Sequence, residues 1–221
     1  MTRERIRPDF SDYVAHFTAN RAAYGGTDQN EGAKATGLAG TARDRLGNIL
    51  TAKSVWATKL PHTDTHGACF TECTWASLLD HAEEYSEYGI GFSKEFLFSK
   101  GGGPAVYIRA DLYEAQLKHR GFDADLYKFL TPYRPFYAPD PFKKKFSPNK
   151  PDIDYTHERE WRVTSDLSFD YGDVQFVVVK AISDIQQLPQ NAVNAIGLEK
   201  FIPMDIYRTV ERLWPTHQMP E

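Results

Sequence analysis

The sequence has only two cysteines among its 221 residues. It also has no apolar run that approaches the roughly 20 residues needed to cross a bilayer. The first ten residues, MTRERIRPDF, carry charges but no apolar core of the kind that marks a secretory signal. We therefore expect a cytoplasmic protein that has no disulfides and no contact with membranes, because few cysteines without a signal are typical of a reducing compartment.

Several signatures of nucleotide binding and of repeat architectures are also absent. The chain has no internal repeat and no coiled-coil heptads. No GxGxxG motif follows a predicted strand, and the glycines of KGGGPAV are not followed by the GK[ST] of a P-loop. The formal net charge of −4 gives no sign of a general affinity for nucleic acid. These absences argue against a doubly wound fold and against a solenoid.

The chain does contain enough large apolar side chains for a core, with 14 Phe, 12 Tyr and 4 Trp. Its length fits a single domain over residues 1–221. Two stretches, 19–40 and 132–154, are rich in glycine, proline or charge, and we expect them to be long loops.

Six to eight short strands are predicted, interleaved with short helices. Among the strands are DYVAHFT (12–18), GACFTEC (67–73) and GIGFS (89–93), and apolar spacing predicts helices near 45–50, 74–89 and 113–121. The glycines after Lys100 are expected to turn into a strand that runs to residue 112. We also expect EWRVTSDLSF and DVQFVVVKAI to pair through the turn DYG. Because the elements do not alternate strictly, the fold class is α+β, with a mostly antiparallel, split sheet and short helices.

The segment HEREWRV (157–163) places an unusual number of charges on a predicted strand. Period-two alternation would put Glu158, Glu160 and Arg162 on one face. Two interpretations stay open. The carboxylates could form an acidic site oriented by the arginine, or they could be a solvated strand edge that pairs with lysines.

Two histidine-containing stretches offer further candidates. In VAHFT, His16 and Thr18 share one face of a strand, where a histidine is either a structural hydrogen-bonding group or part of a site. The stretch 62–73 contains two histidines and both cysteines, which are suitable ligands for zinc. All four lie within one short segment, whereas structural zinc sites usually join two separated segments, so we predict no metal site.

A lysine-rich run, DPFKKKFSPNK (140–150), precedes the charged strand. Lys143, Lys144, Lys145 and Lys150, together with two phenylalanines, could hold a phosphate backbone and stack on bases. The alternative is a solvated loop.

Taken in order, VAHFT, ACFTEC, YGIGFSKEFLF, GGGPAVYI and HEREWRV resemble the AbiGi family of bacterial abortive phage-resistance proteins, whose description includes the word antitoxin. The resemblance covers about residues 12–180. A more distant likeness, in the order of a strand with HFT and a late strand with a glutamate, is to ADP-ribosyltransferases, including the DarT-like enzymes that modify nucleic acid.

The second likeness implies an ADP-ribosyltransferase-like fold and roles for particular residues. His16 and Thr18 would bind the adenosine ribose of NAD. Glu160 would stabilise the oxocarbenium-like transition state, with Glu158 positioning the acceptor in an E-x-E arrangement.

The likeness leaves the contacts to the nicotinamide open. They would come either from Phe70 with Thr71 or from Tyr88 with Ser93.

Three functions follow from these patterns. The first is an NAD-dependent ADP-ribosyltransferase-like toxin or effector in phage defence, which would modify RNA or DNA held by the lysine-rich run. The second is a non-catalytic antitoxin or partner-binding module of an abortive-infection system, which would bind a cognate protein. The third is a metal-dependent nuclease that would use Asp152 and Asp154 with the nearby glutamates.

Overall fold

The computed structural model describes residues 10–19, 40–60, 63, 65–72, 74, 78–139, 142 and 153–213. The strands in this part of the chain are β1 (Tyr13–Phe17), β2 (Ser54–Val55), β3 (Thr58–Lys59), β4 (His66–Glu72), β5 (Gly89–Ser93), β6 (Gly103–Pro104), β7 (Val106–Arg109), β8 (Leu130–Tyr133), β9 (Glu160–Val163), β10 (Leu167–Ser168), β11 (Val174–Val179) and β12 (Phe201–Pro203). The α-helices are α1 (Ala42–Ala52), α2 (Leu78–Glu84), α3 (Lys94–Ser99), α4 (Ala110–His119), α5 (Ala124–Tyr127), α6 (Ile182–Ile185), α7 (Gln190–Ile196) and α8 (Met204–Leu213). No helix among the described residues is both long enough and apolar enough to span a membrane.

The chain divides into two compact units. The first unit takes its residues from 1–55, 72–97 and 168–221, and the second from 56–71 and 98–167. Short strands and short helices are mixed in both, and most strand pairs are antiparallel. The prediction of an α+β class with a mostly antiparallel sheet is therefore confirmed.

The first unit is organised around four neighbouring strands in the order β12–β11–β5–β1. β5 pairs antiparallel with β1 and with β11, whereas β11 and β12 are parallel. The sequence of β11, VQFVVV, is rich in β-branched residues, and its last three valines are fully buried. The apolar core of this unit includes a cluster of buried side chains from two strands and two helices, namely Ala15, Phe17, Leu78, Ala82, Val178 and Met204.

Helix α1 shows how local sequence sets an element of this unit. The Thr41 hydroxyl accepts a hydrogen bond from the backbone N–H of Asp44, and the Asp44 carboxylate accepts one from the backbone N–H of Thr41. The two residues therefore form a capping box. Leu46, Ile49 and Leu50 are buried along one face, as the apolar spacing predicted. The helix ends at Lys53, which has the left-handed φ of 50°.

The second unit contains two sets of paired strands. β4 pairs antiparallel with β3 and β9, and β9 also pairs antiparallel with β6. β7 and β8 form a separate parallel pair. The predicted strand up to residue 112 is too long, because β7 ends at Arg109 and α4 begins at Ala110, where Ala110 and Tyr113 are buried on one helix face.

The expected pairing of EWRVTSDLSF with DVQFVVVKAI is wrong. β9 pairs with β4 and β6, whereas β11 pairs with β5 and β12. The turn DYG is a 3₁₀ helix, Tyr171–Asp173, which Asp170 caps at its start, so it does not form a tight hairpin.

The two predicted loops lie mostly outside the described residues. Of 19–40, only Ala19 and Gly40 are described. In 132–154, strand β8 continues to Tyr133, Arg134 pairs with Ile153 in an antiparallel bridge, and 140–141 and 143–152 lie outside the described residues.

Candidate functional site

Glu160 and Arg162 on β9 form a buried ion pair in the second unit. The two residues are two apart on a strand, so both side chains leave the same face. Arg162 Nε donates to Glu160 Oε1 at 2.7 Å, and Nη2 donates to Oε2 at 2.8 Å. Only 5% of the Arg162 side chain and 10% of the Glu160 side chain are exposed. Both carboxylate oxygens are therefore occupied by one guanidinium in a bidentate contact.

The other donors of Arg162 also reach protein acceptors. Nη1 donates to the carbonyls of Lys128 and Leu130 at 3.2 and 3.0 Å, and Nη2 donates to Thr131 Oγ1 at 2.5 Å. With the two bonds to Glu160, these contacts use all five N–H groups of the guanidinium. Arg162 thus connects β9 to the start of β8 and leaves no donor for a substrate.

Two neutral groups lie in the electrostatic field of Glu160. Burial raises the pKa of the Cys69 thiol well above its ordinary value, and the charge of Glu160 raises it further. Burial also raises the pKa of Tyr107, and Glu160 and Glu158 add to that shift. The Tyr107 hydroxyl donates to the Tyr155 carbonyl at 2.8 Å. Both groups stay protonated at neutral pH, so neither supplies a nucleophilic anion.

Cys69 should therefore react slowly with alkylating agents in the folded protein. We expect its rate with iodoacetamide to stay low through the pH range near 8.5 in which a free cysteine titrates, because the pKa of Cys69 is raised well above its ordinary value. Mass spectrometry of proteolytic peptides, taken over a series of pH values, distinguishes Cys69 from Cys73. A rate that reaches half its maximum near pH 8.5 in the folded protein would contradict the raised pKa.

Glu158 does not lie on the strand, and this corrects the predicted E-x-E arrangement. It ends the 3₁₀ helix Thr156–Glu158, and Arg159 then takes a left-handed conformation with φ 44° before β9 begins. The turn closes through a bond from the Arg159 amide to the Thr156 carbonyl at 3.3 Å. Glu158, Glu160 and Arg162 therefore do not follow one another on one strand face. Glu158 is nevertheless buried.

Thr71 and Phe70, expected at the nicotinamide, hold the second unit together. Thr71 Oγ1 donates to the Glu158 carbonyl at 2.5 Å, which links β4 to the 3₁₀ helix. Phe70 is buried in the core with 2% of its surface exposed, and it lies opposite Trp161 in the β4–β9 register.

The residues expected at the adenosine ribose lie in the first unit. The Thr18 hydroxyl is buried, 2.8 Å from the Ala42 carbonyl and 3.0 Å from the Tyr88 carbonyl. His16 is half-buried on β1. The Tyr88 hydroxyl donates to Asp184 at 3.1 Å, and burial together with Asp184 raises the pKa of Tyr88 to about 12. Thr18 and Tyr88 thus have internal hydrogen-bonding roles in this unit.

The remaining candidates fall partly outside the described residues. Lys143, Lys144, Lys145 and Lys150 all lie there, as do His62 and Cys73. Within the described ranges, no group of three or more His, Cys, Asp or Glu side chains is placed to hold a metal ion. Asp154, a candidate nuclease ligand, accepts from the Thr156 hydroxyl at 2.7 Å and from the Tyr133 hydroxyl at 3.3 Å. These hydrogen bonds hold the pKa of Asp154 below its ordinary value.

A polar cavity of about 500 Å³ in the first unit was missed at the sequence level. Its lining residues come from four separate segments: Thr41, Ala42, Arg43, Ala82, Glu83, Tyr85, Ser86, Glu87, Tyr88, Lys180 and Arg208. Each of its three cations faces an acid, because Arg43 lies 3.6 Å from Asp184 and both Lys180 and Arg208 contact Glu87. No local motif could have predicted this cavity, and its charges largely compensate one another.

A family model described as "Putative abortive phage resistance protein AbiGi, antitoxin" matches residues 51–207. The chain belongs to this family. The matched range includes the Glu160–Arg162 pair and the whole of the second unit. The family is associated with abortive phage resistance, and its description carries the label antitoxin.

No curated protein and no solved structure matches this AbiGi chain. The likeness to DarT-like ADP-ribosyltransferases therefore has no support from a structural relative.

Proposed function

We propose that this AbiGi protein is a non-catalytic antitoxin, which protects its cell by binding and neutralising a toxin of the same defence system. The proposal rests first on the family description, which names an antitoxin over 51–207. It rests equally on the environment of Glu160, the carboxylate that an ADP-ribosyl transfer would need.

The ion pair with Arg162 is unfavourable for transfer chemistry. Breaking the bond between nicotinamide and ribose builds positive charge on the sugar, so the enzyme must present a carboxylate that is free to face that charge. Both oxygens of Glu160 already receive N–H groups of Arg162, at 2.7 and 2.8 Å. The guanidinium would also place its own positive charge beside the developing cation, and like charges at short range destabilise each other. The bidentate contact between Arg162 and Glu160 is the single observation that favours the antitoxin proposal over a transferase.

A growth experiment tests the proposal. The gene of the same operon whose product arrests growth when expressed alone serves as the toxin. We expect co-expression of this chain to restore growth, and we expect the two purified proteins to form a complex by size-exclusion chromatography. Growth arrest that persists despite confirmed expression of the folded chain would refute neutralisation by this protein.

NAD-dependent transfer is the rival prediction, and it has a direct test. The purified protein is offered adenylate-labelled NAD together with RNA, DNA or a cell lysate. We expect no label on any acceptor and no release of nicotinamide. Label that appears with the wild type, and disappears in Glu160→Gln, would establish the transferase instead. The double variant Glu160→Leu/Arg162→Met is the companion to Glu160→Gln, because it removes the carboxylate without leaving Arg162 as a buried, uncompensated charge.

A further inference from the structure

The polar cavity of the first unit brings together cations from three separate segments of the chain. Arg43 lies in the first turn of α1, Lys180 follows β11, and Arg208 lies on α8. All the residues that line the cavity belong to the first unit. Its volume of about 500 Å³ is within the range of ligand clefts, about 300–1,000 Å³. We name it the cationic cavity.

Positive charge is in excess on the wall of the cationic cavity. The lining side chains include these three cations but only two acids, Glu83 and Glu87, although the whole chain has a net charge of −4. Glu87 alone serves two of the cations, because it accepts from Arg208 Nη1 and lies 3.8 Å from Lys180 Nζ. A separation of 3.8 Å is too long for a hydrogen bond. Lys180 therefore keeps its donors available for a ligand.

Arg43 is held mainly by a neutral partner in the described part of the chain. Its Nη1 donates to the side-chain oxygen of Gln187, and the same nitrogen is 3.6 Å from Asp184 Oδ1, again beyond hydrogen-bond range. Asp184 instead accepts from the Tyr88 hydroxyl at 3.1 Å and from the Ala181 N–H at 3.0 Å. The Arg43 guanidinium thus retains charge and N–H groups that can bind an anion.

A ligand can reach all three cations from solvent. The exposed fraction of the side chain is 33% for Arg43, 63% for Lys180 and 39% for Arg208. These side chains are also partly sheltered by the cavity wall, where water and salt screen charges less than on an open surface. An anion should therefore bind more strongly here than at an isolated surface lysine.

We propose that the cationic cavity binds a phosphorylated small molecule, whose phosphate oxygens take the place of Glu87 between Lys180 and Arg208. Arg43 provides further donors to the same ligand. Phosphate oxygens match the planar fork of an arginine, and a lysine adds a point charge. A diphosphate group carries enough negative charge for three cations, whereas a single carboxylate would only replace Glu87. This binding does not depend on the antitoxin proposal.

The test is isothermal titration calorimetry of the full chain with pyrophosphate, ADP and adenosine, in about 50 mM NaCl so that screening is weak. We expect pyrophosphate and ADP to bind and adenosine not to bind. Arg43→Gln and Lys180→Gln should each weaken the binding of pyrophosphate about 10-fold, because each removes hydrogen bonds to a charged group. Lys53→Gln is the matched control and should leave the affinity unchanged. Lys53 lies in the same unit, is 42% exposed and pairs with Asp170 outside the cavity.

Glu87→Gln provides a readout of the opposite sign. It removes the carboxylate that competes for Lys180 and Arg208 and keeps the shape of the side chain, so pyrophosphate should bind about 10-fold more tightly. Thermal unfolding confirms that each variant is folded before its titration. Tighter binding of ADP than of pyrophosphate would identify a nucleotide as the ligand, and equal affinities would identify the diphosphate group itself.

Three results would overturn the proposal. The first is that neither pyrophosphate nor ADP binds the wild type, or that adenosine binds as tightly as ADP. The second is that Arg43→Gln and Lys180→Gln both bind pyrophosphate like Lys53→Gln. The third is that folded Glu87→Gln binds pyrophosphate no more tightly than the wild type.

Discussion

Replacing Arg162 by methionine should lower the free energy of unfolding of the second unit by about 3–5 kcal/mol. In this variant the Glu160 carboxylate stays buried but loses Arg162, with which it forms its ion pair. The substitution also removes the donors to the Lys128 and Leu130 carbonyls. Total stabilities of domains are about 5–15 kcal/mol, so the loss should be large enough to unfold part of the population.

The measurement is urea unfolding followed by tryptophan fluorescence, with hydrogen exchange of β4 and β9 to locate the change. The matched control is Lys118→Ala, which breaks the exposed pair with Glu114 in the same unit. An exposed pair should contribute no more than about 1 kcal/mol. Equal losses in the two variants would contradict a structural role for the buried pair.

Removing both charges should restore most of the stability lost in Arg162→Met. In Glu160→Leu/Arg162→Met no buried charge is left uncompensated, and apolar replacement of a buried ion pair is often neutral. We expect the double variant to unfold within about 1–2 kcal/mol of the wild type by the same urea titration. A double variant less stable than Arg162→Met would show that Glu160 stabilises the unit by contacts other than this pair.

Replacing Gly91 by alanine should destabilise the first unit by about 3 kcal/mol, at the upper end of the usual cost of overpacking. Gly91 lies on the central strand β5, opposite Phe176 of β11. An added Cβ would lie 2.3 Å from the Phe176 ring, with two more ring carbons at 2.4 and 2.6 Å. Because Phe176 packs against the buried cluster around Val178, the ring cannot move aside without disturbing the core.

Thermal unfolding of two further variants checks this explanation. Gly172→Ala is the matched control in the same unit, since nothing lies within 4 Å of its added Cβ, and we expect a change within about 0.5 kcal/mol. Phe176→Leu should recover part of the loss when combined with Gly91→Ala, because the clashing ring is gone. Additive losses in the double variant would mean that the clash is not the cause.

Local patterns in the sequence predicted the elements better than their partners. Helix α1 follows from the spacing of Leu46, Ile49 and Leu50, and β1, β4 and β5 follow from short alternating or apolar runs. The predicted strand partners of β9 and β11 were wrong, because no local sequence pattern indicates that β9 pairs with a strand some 90 residues earlier.

The site was predictable in its residues but not in its geometry. Glu160 and Arg162 were expected on one face, and they are. The prediction that Glu158 lies on the strand was wrong, because Arg159 adopts a left-handed conformation just before the strand begins. Non-glycine residues seldom adopt this conformation, so the sequence gives no sign of it. The acceptors that saturate Arg162 lie 31–34 residues away, beyond any local pattern.

The central claim is that this protein neutralises a toxin by binding and that Glu160 serves the fold rather than chemistry. The most direct measurement is growth of cells that express the toxin of the operon together with either the wild type or Glu160→Leu/Arg162→Met, both shown to be folded by thermal unfolding. We predict equal protection, because the double variant removes the carboxylate and keeps the surface. A folded double variant that fails to protect, while the wild type transfers ADP-ribose from NAD, would contradict the claim.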